Sequence, residues 1–157
     1  MSSPILQSAL VTGTVASVVS SAALALLAKI ENKSPLQPVN ATSHWLRGNE
    51  AANQPTADAE HTLVGYTTHH ASTVFWALPF QAWLSIRPKA STIELLRDAI
   101  VMSGIAAAID YGVTPKRFTP GWELVLSKTS MFAAYGALAI GLFAGARLAE
   151  VLLHRPE

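Results

Sequence analysis

The sequence predicts an all-α protein: an integral membrane bundle of four antiparallel helices with a short interfacial helix in its first loop. Three observations predict it. Half of the 157 residues are hydrophobic and 13% are charged, against about 25% charged in ordinary soluble domains, and mean hydropathy is positive. Four apolar stretches are long enough for helices that cross a hydrocarbon core of about 30 Å. The first and last of them repeat small residues at every fourth position: Ala9, Gly13, Ser17, Ser21 and Ala25, then Ala133, Ala137, Gly141, Gly145 and Ala149. Four residues advance a helix by about 400°, so each set forms one slowly drifting face. Such faces let two backbones approach closely, which is how helices associate where burying leucine gains nothing over lipid.

The first helix is expected over residues 5–28. Residues 1–4 carry no Lys or Arg, as a secretory n-region would, so the segment reads as a retained helix. A long loop follows over residues 29–56. Pro35 and Pro38 extend its beginning, and residues 40–52 suit a short helix with Trp45 and Leu46 on the membrane surface. Asn40-Ala41-Thr42 matches a glycosylation acceptor, a triplet that arises often by chance. The second helix is expected over 57–86. Thr56 serves as its cap, Asp58 and Glu60 lie in its first turn, Pro79 should bend it, and Arg87-Pro88 stops it. The third, over 92–112, starts at Ser91 or Thr92 with Glu94 close behind and stops at Gly112. The fourth, over 120–153, takes Thr119 as cap and Pro120 as first helical residue, and ends before His154-Arg155-Pro156. Its first turns, with Trp122, Glu123 and Lys128, should lie outside the hydrocarbon. Residues 1–157 thus form a single membrane domain.

Several chemistries are excluded. There is no cysteine, hence no disulfide, thiolate zinc site, iron–sulfur ligation or cysteine nucleophile. A net charge of +1 without a basic stripe gives no nucleic-acid footprint. There is no Gly-x-Ser-x-Gly elbow and no His-Glu-x-x-His, so no enzyme is expected. Only the second helix has histidine at membrane depth, and Glu-x-x-His is absent. Met102 and Met131 read as packing residues. No cofactor or metal is expected, with a haem or metal carrier as a third alternative.

Helix direction decides which polar groups meet. His61, His69, His70, Asp110, Tyr111 and Glu123 belong to one end of the bundle and form the candidate polar site. In the second helix Gly65, His69, Thr73, Ala77 and Gln81 share a small, polar face that should point inward, with His70 about 100° away. Histidine titrates near neutrality, so His69 opposite Asp110 or Glu123 would suit a proton relay. At the other end Glu94, Arg97 and Asp98 are expected within reach of Arg147 and Glu150 as structural ion pairs. The basic residues give no orientation: Arg87, Lys89, Arg97, Arg147 and Arg155 on one face balance Lys29, Lys33, Arg47, Lys116, Arg117 and Lys128 on the other.

The segment 110–123, DYGVTPKRFTPGWE, with the preceding histidines and four crossings, resembles the YagU-like group of small bacterial inner-membrane proteins. The resemblance implies a bacterial inner-membrane location and offers no chemistry to transfer. The function expected from the residues is non-enzymatic: an accessory or scaffold subunit in the lipid bilayer, packing through Gly13, Ser17, Ser21, Ala137, Gly141 and Gly145 against other membrane proteins or itself. The alternative is a small transporter or proton-coupled sensor using the polar site.

Overall fold

A computed structural model of the chain describes residues 4–87 and 91–153. Among them the fold is all-helical, with four long helices: α1 (Pro4–Ile30), α4 (Val64–Ser85), α5 (Thr92–Gly112) and α6 (Lys128–Leu153). Two short helices, α2 (Gln37–Ala41) and α3 (His44–Arg47), lie between α1 and α4. Of the expected basic residues and helix stops, Pro88, Lys89, His154, Arg155 and Pro156 lie outside the described residues. α1 and α6 are long and apolar enough to cross a membrane by length and composition.

α1 is the centre of the assembly, packed along α6 on one side and α4 on the other; α5 lies on α6 and touches α4 only sparsely. The α6 ladder forms the α1–α6 seam through Gly141 and Gly145, but α1 meets it with Thr12 and Ala16 and not with the expected Gly13 and Ser17 face, and Ala133 is exposed. A Cβ on Gly141 would stand 2.6 Å from Ala16 Cα, and one on Gly145 would stand 2.7 Å from Thr12 Cα. Gly13 makes the equivalent approach to α4, where a Cβ would meet Val74 Cα at 2.5 Å. Polar side chains then stitch the helices: Thr73 Oγ1 lies 3.0 Å from the Gly13 carbonyl oxygen, Gln81 Nε2 donates to Thr12 Oγ1 at 2.7 Å, and Ser103 Oγ donates to the Tyr135 carbonyl at 2.6 Å. Such bonds are the usual glue between membrane helices.

Three expectations are corrected. The second helix does not start at Thr56. Asp58 is the cap, accepting from the His61 amide, and a wide turn over Ala59–Leu63 precedes α4. The fourth helix starts at Lys128, not residue 120, because Gly121 adopts φ +82 and turns the chain beneath the Ala41 carbonyl. The first loop is not a single interfacial helix; α2, α3 and a 3-10 turn at Asn49–Asn53 fold into a cap over one end of the bundle. Asn40, fully buried, holds that cap together. Its Nδ2 donates to the Gln54 and Thr56 carbonyls at 2.9 and 3.1 Å, and its Oδ1 accepts from Thr62 at 2.7 Å. A side chain so engaged is no accessible glycosylation acceptor. Leu46 is exposed, but Trp45 turns inward and donates to Thr68 Oγ1 at 3.2 Å. The start of α5 is as expected, with a reciprocal capping box between Ser91 and Glu94.

At the end opposite the cap, Arg87 and Arg97 both pair with Asp98, while Arg147 pairs with Glu150 at 3.0 Å one turn along α6. Glu94 is engaged at the Ser91 cap. The expected pairing of the start of α5 with the end of α6 is thus replaced: Asp98 is engaged by Arg87, just past α4, and by its neighbour Arg97, while Arg147 pairs within α6.

Candidate functional site

His69 sits on the buried face of α4 with Gly65, Thr73 and Ala77. Its Nε2 is 2.9 Å from Ser20 Oγ, which is itself 2.7 Å from the Ala16 carbonyl. The single Ser20 proton goes to the closer carbonyl, so the serine oxygen accepts from Nε2–H and the tautomer is assigned by its neighbours. The His69 ring meets Trp122 edge-on at 5.7 Å, and Trp122 lies 5.4 Å from Tyr135. Tyr135 Oη then donates to Asp110 Oδ2 at 2.7 Å. The row Ser20, His69, Trp122, Tyr135, Asp110 draws on all four long helices and on the turn that precedes α6.

Gly121 places Trp122 in that row. With φ +82 it occupies the left-handed region that glycine tolerates, and a Cβ there would lie 2.5 Å from the Ala41 oxygen. Trp122 is 3% exposed, and its buried indole Nε1–H has no acceptor among the described residues. Buried N–H groups are rarely left unpaired.

His69, Trp122, Tyr135 and Asp110 border a cavity of about 340 Å³ beneath the cap, within the usual range for small-ligand sites. Its aromatic walls are Trp45, Trp76, Phe118, Trp122 and Tyr135; Thr68, His69, Ser72, Thr73 and Asp110 supply polar groups. Among the described residues no Lys or Arg lines it. A shallower groove of about 660 Å³ runs between α4 and α5 and shares Thr68, Ser72, Trp76 and Asp110 with the cavity.

The structure brings two of the six candidate polar residues, His69 and Asp110, to this cavity, with Trp122 and Tyr135 between them. His70 turns elsewhere and stacks on Tyr66 at 6.2 Å. His61 belongs to the α4 cap, its Nδ1 2.9 Å from Asp58 Oδ2. Asp58 is held far below the usual carboxylate range, first by the Gln54 side chain and then by the His61 amide. Tyr111 packs edge-on against Tyr135 at 6.1 Å. Glu123 is exposed and accepts from Thr119 Oγ1 at the rim. Among the described residues no three His, Asp or Glu side chains converge as a metal site would need.

Sequence reasoning missed the aromatic walls. Trp76 lies seven residues after His69, on the same face of α4, and that spacing was the available signal. Trp45 and Trp122 reach the cavity only through long-range folding of the cap. No protein-family model, curated protein or solved structure matches the chain, so the reading of the site rests on its geometry.

Proposed function

We propose that the chain is a four-crossing membrane protein of the bacterial inner membrane that takes a small molecule into the cavity beneath its cap, as a carrier or sensor. The observation that carries this reading is the convergence of α4, α5, α6 and the cap on one cavity with aromatic walls and two polar anchors, His69 and Asp110.

The crossing of α4 and α5 is supported by the way their faces are turned. α5 buries Asp98 and Ser103 and directs Ile93, Leu96, Ile100, Val101, Ile105 and Ile109 outward. α4 buries His69 and Thr73 and exposes Phe75 and Trp83. Polar inside and apolar outside suits a lipid surround. At 1.5 Å per residue each helix is about 32 Å long, enough for the hydrocarbon core. An accessory role draws less support, because Gly13, Gly141 and Gly145 are consumed within the chain by α1 and α4.

The chain's lack of cysteine makes the test clean. Asn49→Cys, on the cap, and Thr92→Cys, at the opposite end, should be labelled by an impermeant maleimide from opposite sides of the membrane. Three of the four tryptophans line the cavity, so emission from a Trp83→Phe protein reports ligand entry. In maltoside micelles, at least one of dodecyltrimethylammonium, dodecanoate and dodecanol should shift that emission saturably. Labelling from a single side, or emission indifferent to all three, would overturn the proposal.

A further inference from the structure

We infer that the cavity takes the head of an amphipathic organic cation, an alkylammonium, whose tail leaves sideways between α4 and α5 into the bilayer. The inference rests on the ligand-binding reading above and specifies what that ligand is.

The charge balance selects the head. Asp110 is the carboxylate on the cavity wall, and it accepts its hydrogen bond from the Tyr135 hydroxyl. Asp110 lies in the last turn of α5, where the unsatisfied carbonyls of the helix add partial negative charge. With no Lys or Arg on the wall, an anionic head would face Asp110 with nothing to offset it. A cation finds both a counter-charge and a wall that includes Trp45, Trp76 and Trp122, and aromatic rings attract alkylammonium groups through their quadrupoles.

The shape selects the tail. Cavity and groove meet along Thr68, Ser72, Trp76 and Asp110. The groove continues outward past Phe75 and Ile109, both exposed, where α4 and α5 touch sparsely. A linear alkyl chain lying there exchanges one apolar surround for another, so affinity resides in the head while the tail keeps the ligand in the membrane plane.

The test uses the full chain with Trp83→Phe in maltoside micelles and reads tryptophan emission. Dodecyltrimethylammonium should titrate saturably, while dodecanoate and dodecanol at equal concentrations should not. Tetramethylammonium, without a tail to hold it in the micelle, should require a far higher concentration. Asp110→Asn should weaken dodecyltrimethylammonium binding about tenfold or more, the loss expected for a charge-assisted contact. Ser72→Phe, at an exposed position where cavity meets groove, should block entry while the thermal midpoint stays that of the parent. If dodecanoate or dodecanol binds as well as the ammonium, or if Asp110→Asn titrates like the parent, the assignment of a cation falls while the cavity reading stands. If Ser72→Phe folds and binds normally, the sideways path falls. If none of the probes binds, both readings fall together.

Discussion

Glu31 is a single carboxylate that closes the bundle's capped end. It lies just past α1, and both its oxygens accept from the Ser127 amide, at 3.1 and 3.2 Å. Ser127 directly precedes α6, so the charge sits at the positive end of that helix. Hydrogen bonds from the Ser127 and Ser130 side chains come first among the causes that pull the Glu31 pKa from 4.5 down to about 2. A carboxylate with a depressed folded-state pKa contributes fully above its unfolded value and loses that contribution as pH falls through the folded one. The Glu31 contribution should therefore be complete above pH 4.5 and fade toward about 2. Thermal unfolding of the protein in micelles should show Glu31→Gln with a lower midpoint at pH 6 and a shallower fall on acidification than the parent; superimposable profiles would show that this contact contributes nothing. Neither serine marks such a role in the sequence, because a contact 96 residues apart leaves no local pattern.

At the scale of elements, the α1–α6 seam makes a sharper claim than composition does. Gly141 and Gly145 face α1 backbone atoms that cannot retreat, whereas a Cβ added at Gly104 on α5 or Gly136 on α6 would have nothing within 4 Å. Gly145→Ala should cost about 1–3 kcal/mol, as overpacking does. Gly104→Ala should be neutral or stabilise by up to about 1 kcal/mol through helix propensity. Thermal midpoints of the two variants in the same detergent check the contrast, and equal losses would mean the seam is looser than described. The α6 face was legible, since small residues four apart name their own face; on α1 the same rule picked Gly13, which faces Val74 of α4, while the seam with α6 runs one position earlier through Thr12 and Ala16. α5 was legible too, because its Ser91–Glu94 box is a local signal. The start of α6 was not. Thr119-Pro120 carries the local signature of a helix start, but the chain there is turned by Gly121 against Ala41 and the helix begins eight residues later, at Lys128. Of the candidate site, His69 could be read from its helical face, and Asp110 from the direction of its helix. The rings between them come from separate elements, which no spacing in the sequence relates.

For the molecule as a whole, the cap and the bundle share one fate, because the cap rests on backbone rather than on long side chains. Gly65 at the start of α4 lies directly under the Val39 carbonyl, leaving no room for a Cβ, and Gly121 lies under the Ala41 carbonyl, where a Cβ would stand 2.5 Å from the oxygen. Val39 and Ala41 both belong to α2, so a methyl group at either glycine pushes the same short helix off its seat. His44 adds a second tie: its two ring nitrogens lie 3.0 Å from the Ala41 carbonyl and 3.1 Å from the Lys116 carbonyl. Both partners only accept, so a neutral ring serves one of them at a time. Gly65→Ala and Gly121→Ala should each lift the cap, open the cavity roof to water, shift the emission of Trp45 and Trp122 to the red and hasten protease cleavage within residues 49–58. Gly48→Ala separates this effect from backbone strain alone. Gly48 also has a positive φ, +77, with an extended ψ of 173, but nothing lies within 4 Å of its Cβ position, so the variant bears a backbone penalty of about 1–3 kcal/mol without touching α2. It should keep the parent's emission maximum and cleavage rate. If all three variants behave alike, the seat of the cap lies elsewhere than in these two glycine contacts; if the first two alone open the roof, the cap is the lid of the cavity and not an independent appendage.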